Sequence, residues 1–105
     1  EKSQVWDKVA EEIGEFRTEL DFMDASDPVS VVKAEGELGD LLFSLVNAAR
    51  LYDLNPDTAL EMTCRRFKER FTYLELKSRE LGRNLKDMTL GEMDAIWNEA
   101  KSKGL

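Results

Sequence analysis

LLFSLVNAA, residues 41–49, decides the fold. On a helical wheel it is apolar nearly all round, with Ser44 and Asn47 as the polar interruptions. A helix of this kind is covered on most sides, inside its own fold or against another chain. The whole chain has 105 residues, the material of one domain. A domain of this size buries roughly 60–70% of the surface its unfolded form exposes. Little is left over to wrap such a helix, so a homodimer or a larger homo-oligomer is expected.

Working outward, Asp27-Pro28 is a cap followed by proline at the first helical position, and it opens this helix, which runs to about Tyr52. Upstream, Val5, Val9, Ile13, Phe16, Leu20 and Met23 recur at steps of four and three, one apolar helix face, with Ser3 expected as its N-cap. Downstream, Asn55-Pro56 repeats the cap-and-proline signal. Leu60, Cys64, Phe67, Phe71 and Leu74 form the stripe of a third helix, and Gly82 caps its end. Thr89 and Glu92 make a T-x-x-E capping box, flanked by Met88 and Met93 as a hydrophobic staple. Leu90, Met93, Trp97 and Ala100 are then expected to face inward on a short fourth helix ended by Gly104. No stretch alternates convincingly as a strand, so the fold class is all-α, with four helices.

Composition narrows the function. Hydrophobic residues are 42% of the chain and charged residues 35%, which marks a globular protein. There is no histidine. That removes Ser-His-Asp and Cys-His catalysis, the zinc sites that contain histidine, and the carboxylate-histidine di-iron bundle. The single Cys64 cannot form an internal disulfide, and its stripe position predicts a buried, inert thiol. No apolar run is long enough to span a bilayer and no signal-peptide pattern opens the chain, so no membrane is implied and a cytoplasmic location is expected. A net charge of −7 argues against a nucleic-acid partner, itself a dense anion. A phosphorylated small molecule remains open if a cation stands between it and the protein.

The carboxylates are where chemistry can reside. Glu12 and Glu15 are three apart on the first helix; Glu37 and Asp40 are three apart on the second. A solvated acidic edge is one reading of each pair. For Glu37 and Asp40 a second reading has weight, because they stand one turn before the most buried-looking stretch of the chain. Two like charges at about 4 Å repel by about 4 kcal/mol at an effective dielectric near 20. Protonation or a cation relieves this. If the first two helices pack as a hairpin, Glu12, Glu15, Glu37 and Asp40 converge. An all-oxygen set suits Mg²⁺ or Mn²⁺, completed by substrate phosphates. Arg66 and Arg70, four apart on the third helix, read either as salt-bridge partners of neighbouring acids such as Glu69 or as a phosphate clamp. Trp97 and Lys101 repeat the four-residue step on the fourth helix, with core packing and a helix-dipole role as their structural readings.

EEIGE at 11–15, EGELGDLLFSLVNAAR at 35–50, RRFKERF at 65–71 and MDAIW at 93–97 resemble the MazG family of nucleoside triphosphate pyrophosphohydrolases, over almost the whole chain. The resemblance implies an all-α, four-helix MazG-like bundle completed by dimerisation. It also implies an enzyme that hydrolyses nucleoside triphosphates between the α- and β-phosphates, giving the monophosphate and pyrophosphate. It places the Mg²⁺ ligands on Glu12, Glu15, Glu37 and Asp40. The family's basic positions fall on Arg66 and Arg70, and its late tryptophan and lysine on Trp97 and Lys101. The mechanism this suggests has one of Glu12 and Glu15 activating water, while Arg66, Arg70 and Lys101 hold the triphosphate tail. House-cleaning of non-standard nucleotides is the purpose the family suggests. Residues 1–105 are expected to form one such domain, either the carboxy-terminal repeat of a longer member or a shortened one-repeat member. Cys64 stands where relatives usually carry asparagine, and a thiol cannot both donate and accept as an amide does. A non-catalytic dimeric helical interaction or regulatory module with a degenerate site is the competing reading, and a nucleoside diphosphate derivative or alarmone is a further substrate class.

Overall fold

A computed structural model describes residues 1–105. Its helices are α1 (Val5–Phe22), α2 (Pro28–Leu51), α3 (Pro56–Glu80) and α4 (Leu90–Ser102), with short 3-10 turns at Lys2–Gln4 and Leu85–Asp87 and no strand. The chain divides into two compact units, Glu1–Pro56 and Asp57–Leu105.

In the first unit α1 and α2 pack closely as a hairpin. Its loop is set by short polar side chains. The backbone N–H and the hydroxyl of Ser26 donate to Asp24 Oδ1 at 2.9 and 2.6 Å, and the Asp24 N–H donates to Ser30 Oγ at 2.8 Å. Asp27 caps α2 by accepting from the Val29 N–H at 3.0 Å, and Pro28 follows at the first helical position. At the open end of the hairpin the Trp6 indole N–H donates to the Tyr52 hydroxyl at 3.1 Å. The expected cap at Ser3 is not used. Residues 2–4 form a 3-10 turn closed by the Gln4 N–H on the Glu1 carbonyl, and the N-cap position falls to Gln4.

The buried positions of α2 are small: Ala34, Ser44 and Ala48. Small side chains let α1 approach, while the large ones point away. Leu42 is 54% and Phe43 74% exposed, and Leu45 and Val46 are exposed as well. Stretch 41–49 is therefore covered on one narrow face by its own chain.

In the second unit Leu74, Met88 and Ile96 form a buried cluster, with Tyr73, Leu85 and Met93 packed on it. Thr89 and Glu92 close the expected capping box, each side chain bonding the other's backbone N–H at 3.1 Å. Leu90 was expected inward but is 72% exposed; Ile96 takes that role, beside Ala100 and the partly buried Met93. The first helical position looks away from α3, and the inward face begins one turn later. Cys64 is exposed rather than buried. The reason is length: α4 has 13 residues against 25 in α3, about half as long at 1.5 Å per residue. It covers the end of α3 that carries Leu74 and leaves Leu60 and Cys64 outside. Helices α2, α3 and α4 all end in Schellman turns, with a left-handed residue at Asp53, Gly82 and Gly104.

Candidate functional site

Within the α1–α2 hairpin, Glu12, Glu37 and Asp40 each bring a carboxylate oxygen within 4.8 Å of the others. Glu12 enters from α1, on the flank of the face that carries Val9. Glu37 and Asp40 lie on consecutive turns of α2. Burial is graded across the set: Glu12 is 6% exposed, Glu37 is half-buried and Asp40 is exposed. Glu12 Oε2 and Glu37 Oε2 are both buried and have no hydrogen-bond partner. An unpartnered buried carboxylate oxygen is costly. A hard divalent cation satisfies such oxygens, and this donor set, all oxygen, fits Mg²⁺ or Mn²⁺.

Glu15 does not join the three-oxygen set. It stands close enough to feel it: the charge of Glu12 first, then some loss of hydration, then Glu11 and Glu37 hold the carboxyl of this exposed residue above the usual range, against the opposing pull of Lys8.

One residue of this site was not read from the sequence. Lys8, one turn before Glu12, places its Nζ 2.9 Å from Glu12 Oε1. The hydrogen bond to Glu12, then the charges of Glu11 and Glu12, raise its pKa above the ordinary lysine value. The signal was present, a Lys-x-x-x-Glu step leading into the acidic run. Lys8, Glu12 and Asp40 line an open cleft of about 310 Å³ together with Phe43, Ser44 and Asn47. The Ser44 hydroxyl donates to the Leu41 carbonyl at 2.7 Å.

The other expected residues lie in the second unit. Arg66 is exposed and Arg70 half-buried. Neither forms an ion pair with a carboxylate; their neighbour Arg65 does, with Glu61 at 2.8 Å. The salt-bridge reading of the pair is therefore not met. Arg70 Nε–H donates to the Leu105 carbonyl oxygen at 2.8 Å, and its guanidinium carbon lies 6.0 Å from the centroid of the Trp97 ring. Trp97 in turn leans on Phe67, with ring centroids 5.3 Å apart. Lys101 is exposed, one turn beyond Trp97.

No family model matches the chain. Over 97 residues it is 35% identical to a Thermotoga maritima protein named nucleoside triphosphate pyrophosphohydrolase/pyrophosphatase MazG, covering 92% of this chain and 34% of that one. Over 97 residues it is 34% identical to an Escherichia coli nucleoside triphosphate pyrophosphohydrolase, covering 92% of this chain and 35% of that one. It is also 51% identical over 67 residues to Bacillus subtilis YabN, named as an uncharacterized protein, covering 64% of this chain and 14% of YabN. The chain thus spans about a third of the length of the two hydrolases and less of YabN. Over those 97 residues the chain is similar to proteins named as MazG-type nucleoside triphosphate pyrophosphohydrolases, which fits the MazG-like resemblance carried by its motifs.

Proposed function

We propose that the chain hydrolyses nucleoside triphosphates at the α–β phosphoanhydride, releasing a nucleoside monophosphate and pyrophosphate. The observation that carries this reading is the convergence of Glu12, Glu37 and Asp40 with two buried, unpartnered oxygens. It lies on a stretch similar to proteins named for this activity.

Glu12, Glu37 and Asp40 would hold Mg²⁺, with Glu15 beside them as a fourth carboxylate. When bound, the ion supplies positive charge against the triphosphate. Glu15 stands outside the three-oxygen set, so it is the carboxylate left to orient water and take its proton. Lys8 sets an ammonium on the wall of the same cleft, where it faces incoming phosphate oxygens. Arg66, Arg70, Trp97 and Lys101 are the positions the family resemblance assigns to substrate, with guanidinium and ammonium groups suited to phosphate oxygens.

A second copy of the chain would cover Leu42, Phe43, Leu45 and Val46, giving a homodimer or larger assembly. No helix is long and apolar enough to cross a membrane. The free, exposed Cys64 suits a reducing compartment such as the cytoplasm.

A panel of nucleoside triphosphates, assayed with and without Mg²⁺ and with both products identified, tests the reading. Monophosphate and pyrophosphate are expected. Diphosphate and orthophosphate would overturn the cleavage position, and no turnover of any triphosphate would overturn the activity.

A further inference from the structure

We propose that Asn47 reads the nucleobase of the substrate, further along the cleft that begins at the carboxylates. This role rests on the hydrolase reading above and adds where the nucleoside lies. The cleft of about 310 Å³ is lined by Lys8, Glu12, Asp40, Phe43, Ser44 and Asn47, near the lower end of the sizes that hold small molecules. Its three charged groups stand together. Lys8 Nζ is 2.9 Å from Glu12 Oε1, and the Glu12 and Asp40 carboxylates are within 4.8 Å of each other. Phe43, Ser44 and Asn47 continue the lining along α2 without charge. Ions grouped beside a neutral aromatic and amide surface suit a ligand with a charged tail and a neutral head, which is what a nucleotide is.

Asp40, Phe43, Ser44 and Asn47 recur at the three- and four-residue steps that keep side chains on one helix face. Asn47 stands seven residues beyond Asp40, about 10 Å along the axis at 1.5 Å per residue. With the phosphates at the carboxylates, a base on the far side of its sugar reaches that turn. Ser44 and Asn47 are the two polar residues of the apolar stretch 41–49. Ser44 is buried, and its hydroxyl donates to the Leu41 carbonyl at 2.7 Å. Asn47 is exposed, and its carboxamide makes no hydrogen bond within the chain. Asparagine is a weak helix former, because its side chain competes for backbone groups. Neither propensity nor a local bond therefore accounts for it here. A carboxamide offers two N–H donors and a C=O acceptor, the pattern that meets neighbouring donor and acceptor groups on a base edge. Phe43 borders the cleft as well as the apolar flank, and gives the cleft its one aromatic wall.

Binding to the full chain in Mg²⁺ tests this with two kinds of probe. Inorganic tripolyphosphate has no nucleoside. Nucleoside triphosphates with a methylene bridge in place of the α–β oxygen carry each base in turn and are not cleaved. The unchanged protein should rank the bases by affinity. Asn47→Ala should weaken the best-bound analogue about tenfold, the worth of about one net hydrogen bond, and draw the bases closer together. Its affinity for tripolyphosphate should stay the same. Ribose and deoxyribose forms of one base should lose affinity by the same factor. Alanine is the strongest helix former, so α2 is kept, and the melting temperature of the variant checks that.

Equal affinity for all bases in the unchanged protein would overturn the proposal. So would an unaltered ranking in Asn47→Ala, or a loss shared by tripolyphosphate. A loss that differs between ribose and deoxyribose but not between bases would give Asn47 to the sugar and overturn it as well. Failure of every probe to bind, tripolyphosphate included, would instead overturn the hydrolase reading, and with it the role of Asn47.

Discussion

Lys8 Nζ lies 2.9 Å from Glu12 Oε1, with the lysine side chain 56% exposed and the glutamate side chain 8%. A buried carboxylate is thus compensated by an ammonium that reaches in from solvent, and only at one of its oxygens. The other oxygen is buried without a partner, in a residue whose carboxylate stands close to those of Glu37 and Asp40. Three carboxylates face one ammonium, a local excess of negative charge that a divalent cation matches.

The first prediction concerns that excess. Mg²⁺ or Mn²⁺ should raise the melting temperature relative to the same protein in chelator, by the mass action of any ligand bound only to the folded state. Glu37→Gln should abolish the rise and melt no lower than the unchanged protein in chelator, because a repelling charge is gone. Both Glu37→Gln and Asp40→Asn should lose Mg²⁺-dependent hydrolysis. Full activity in both variants would remove the proposed ligand set.

The second concerns Lys8. Lys8→Met should lower the melting temperature in chelator, since Glu12 then keeps a buried charge with no partner. The stabilisation given by Mg²⁺ should be larger in this variant, because ammonium and cation no longer compete for Glu12. Equal metal-induced shifts in the two proteins would show that Lys8 does not compete there.

Much of this was legible in the residues. Asp27-Pro28, Asn55-Pro56, the Thr89/Glu92 box and Gly82 act locally, so they set helix boundaries whatever the rest of the chain does. The pairing of Glu12 with Glu37 and Asp40 needed one further assumption, the hairpin. Periodicity says which residues share a face and not what covers that face. For that reason Cys64 is expected buried from its place on the stripe although α4 is too short to reach it, and the apolar flank of 41–49 lies open. The Leu105 carbonyl on Arg70 had no sequence signal, because a backbone acceptor 35 residues away leaves no mark in side-chain spacing.

The open flank supports a third prediction. The exposed side chains of Leu42, Leu45 and Val46 should be covered by a second copy, so the melting temperature should rise with protein concentration. Val46→Glu should shift the mass in solution toward monomer, since burying an unpaired charge opposes association. A monomeric mass together with a concentration-independent melt in the unchanged chain would count against the dimer.

A fourth follows from the α4 cap. Bonds from the Thr89 backbone N–H first, and from Arg83 next, hold the Glu92 carboxyl below its ordinary value of 4.5. A depressed acid favours the folded state at pH above 4.5, and that contribution is lost as pH falls through the lowered value. Glu92→Gln should melt lower than the unchanged protein at neutral pH. The gap should narrow as the pH drops below 4.5. Thr89→Ala should cost about 1 kcal/mol at every pH, the usual worth of an N-cap. A gap for Glu92→Gln that stays constant from pH 7 to pH 3 would place its contribution in packing instead of charge.

The last prediction concerns Arg70 in turnover. Its two readings are a clamp on pyrophosphate and a strut between α3 and the end of α4. In the clamp reading the charge it faces grows as the anhydride breaks, so its contribution is larger in the transition state than in the ground state. Arg70→Ala should then lower kcat and kcat/KM together by about one to three powers of ten, roughly 1.4 kcal/mol for each. Arg70→Lys should recover only part, because a point charge cannot present two parallel N–H donors. In the strut reading the lost contact is the bond from Nε to the Leu105 carbonyl. Melting temperature falls there, and the molecules still folded turn over normally. Both parameters measured on the same samples separate the two. A lower melting temperature with unchanged kcat/KM would make Arg70 a strut, while a large kinetic loss at a nearly constant melting temperature would make it the hand on the leaving group.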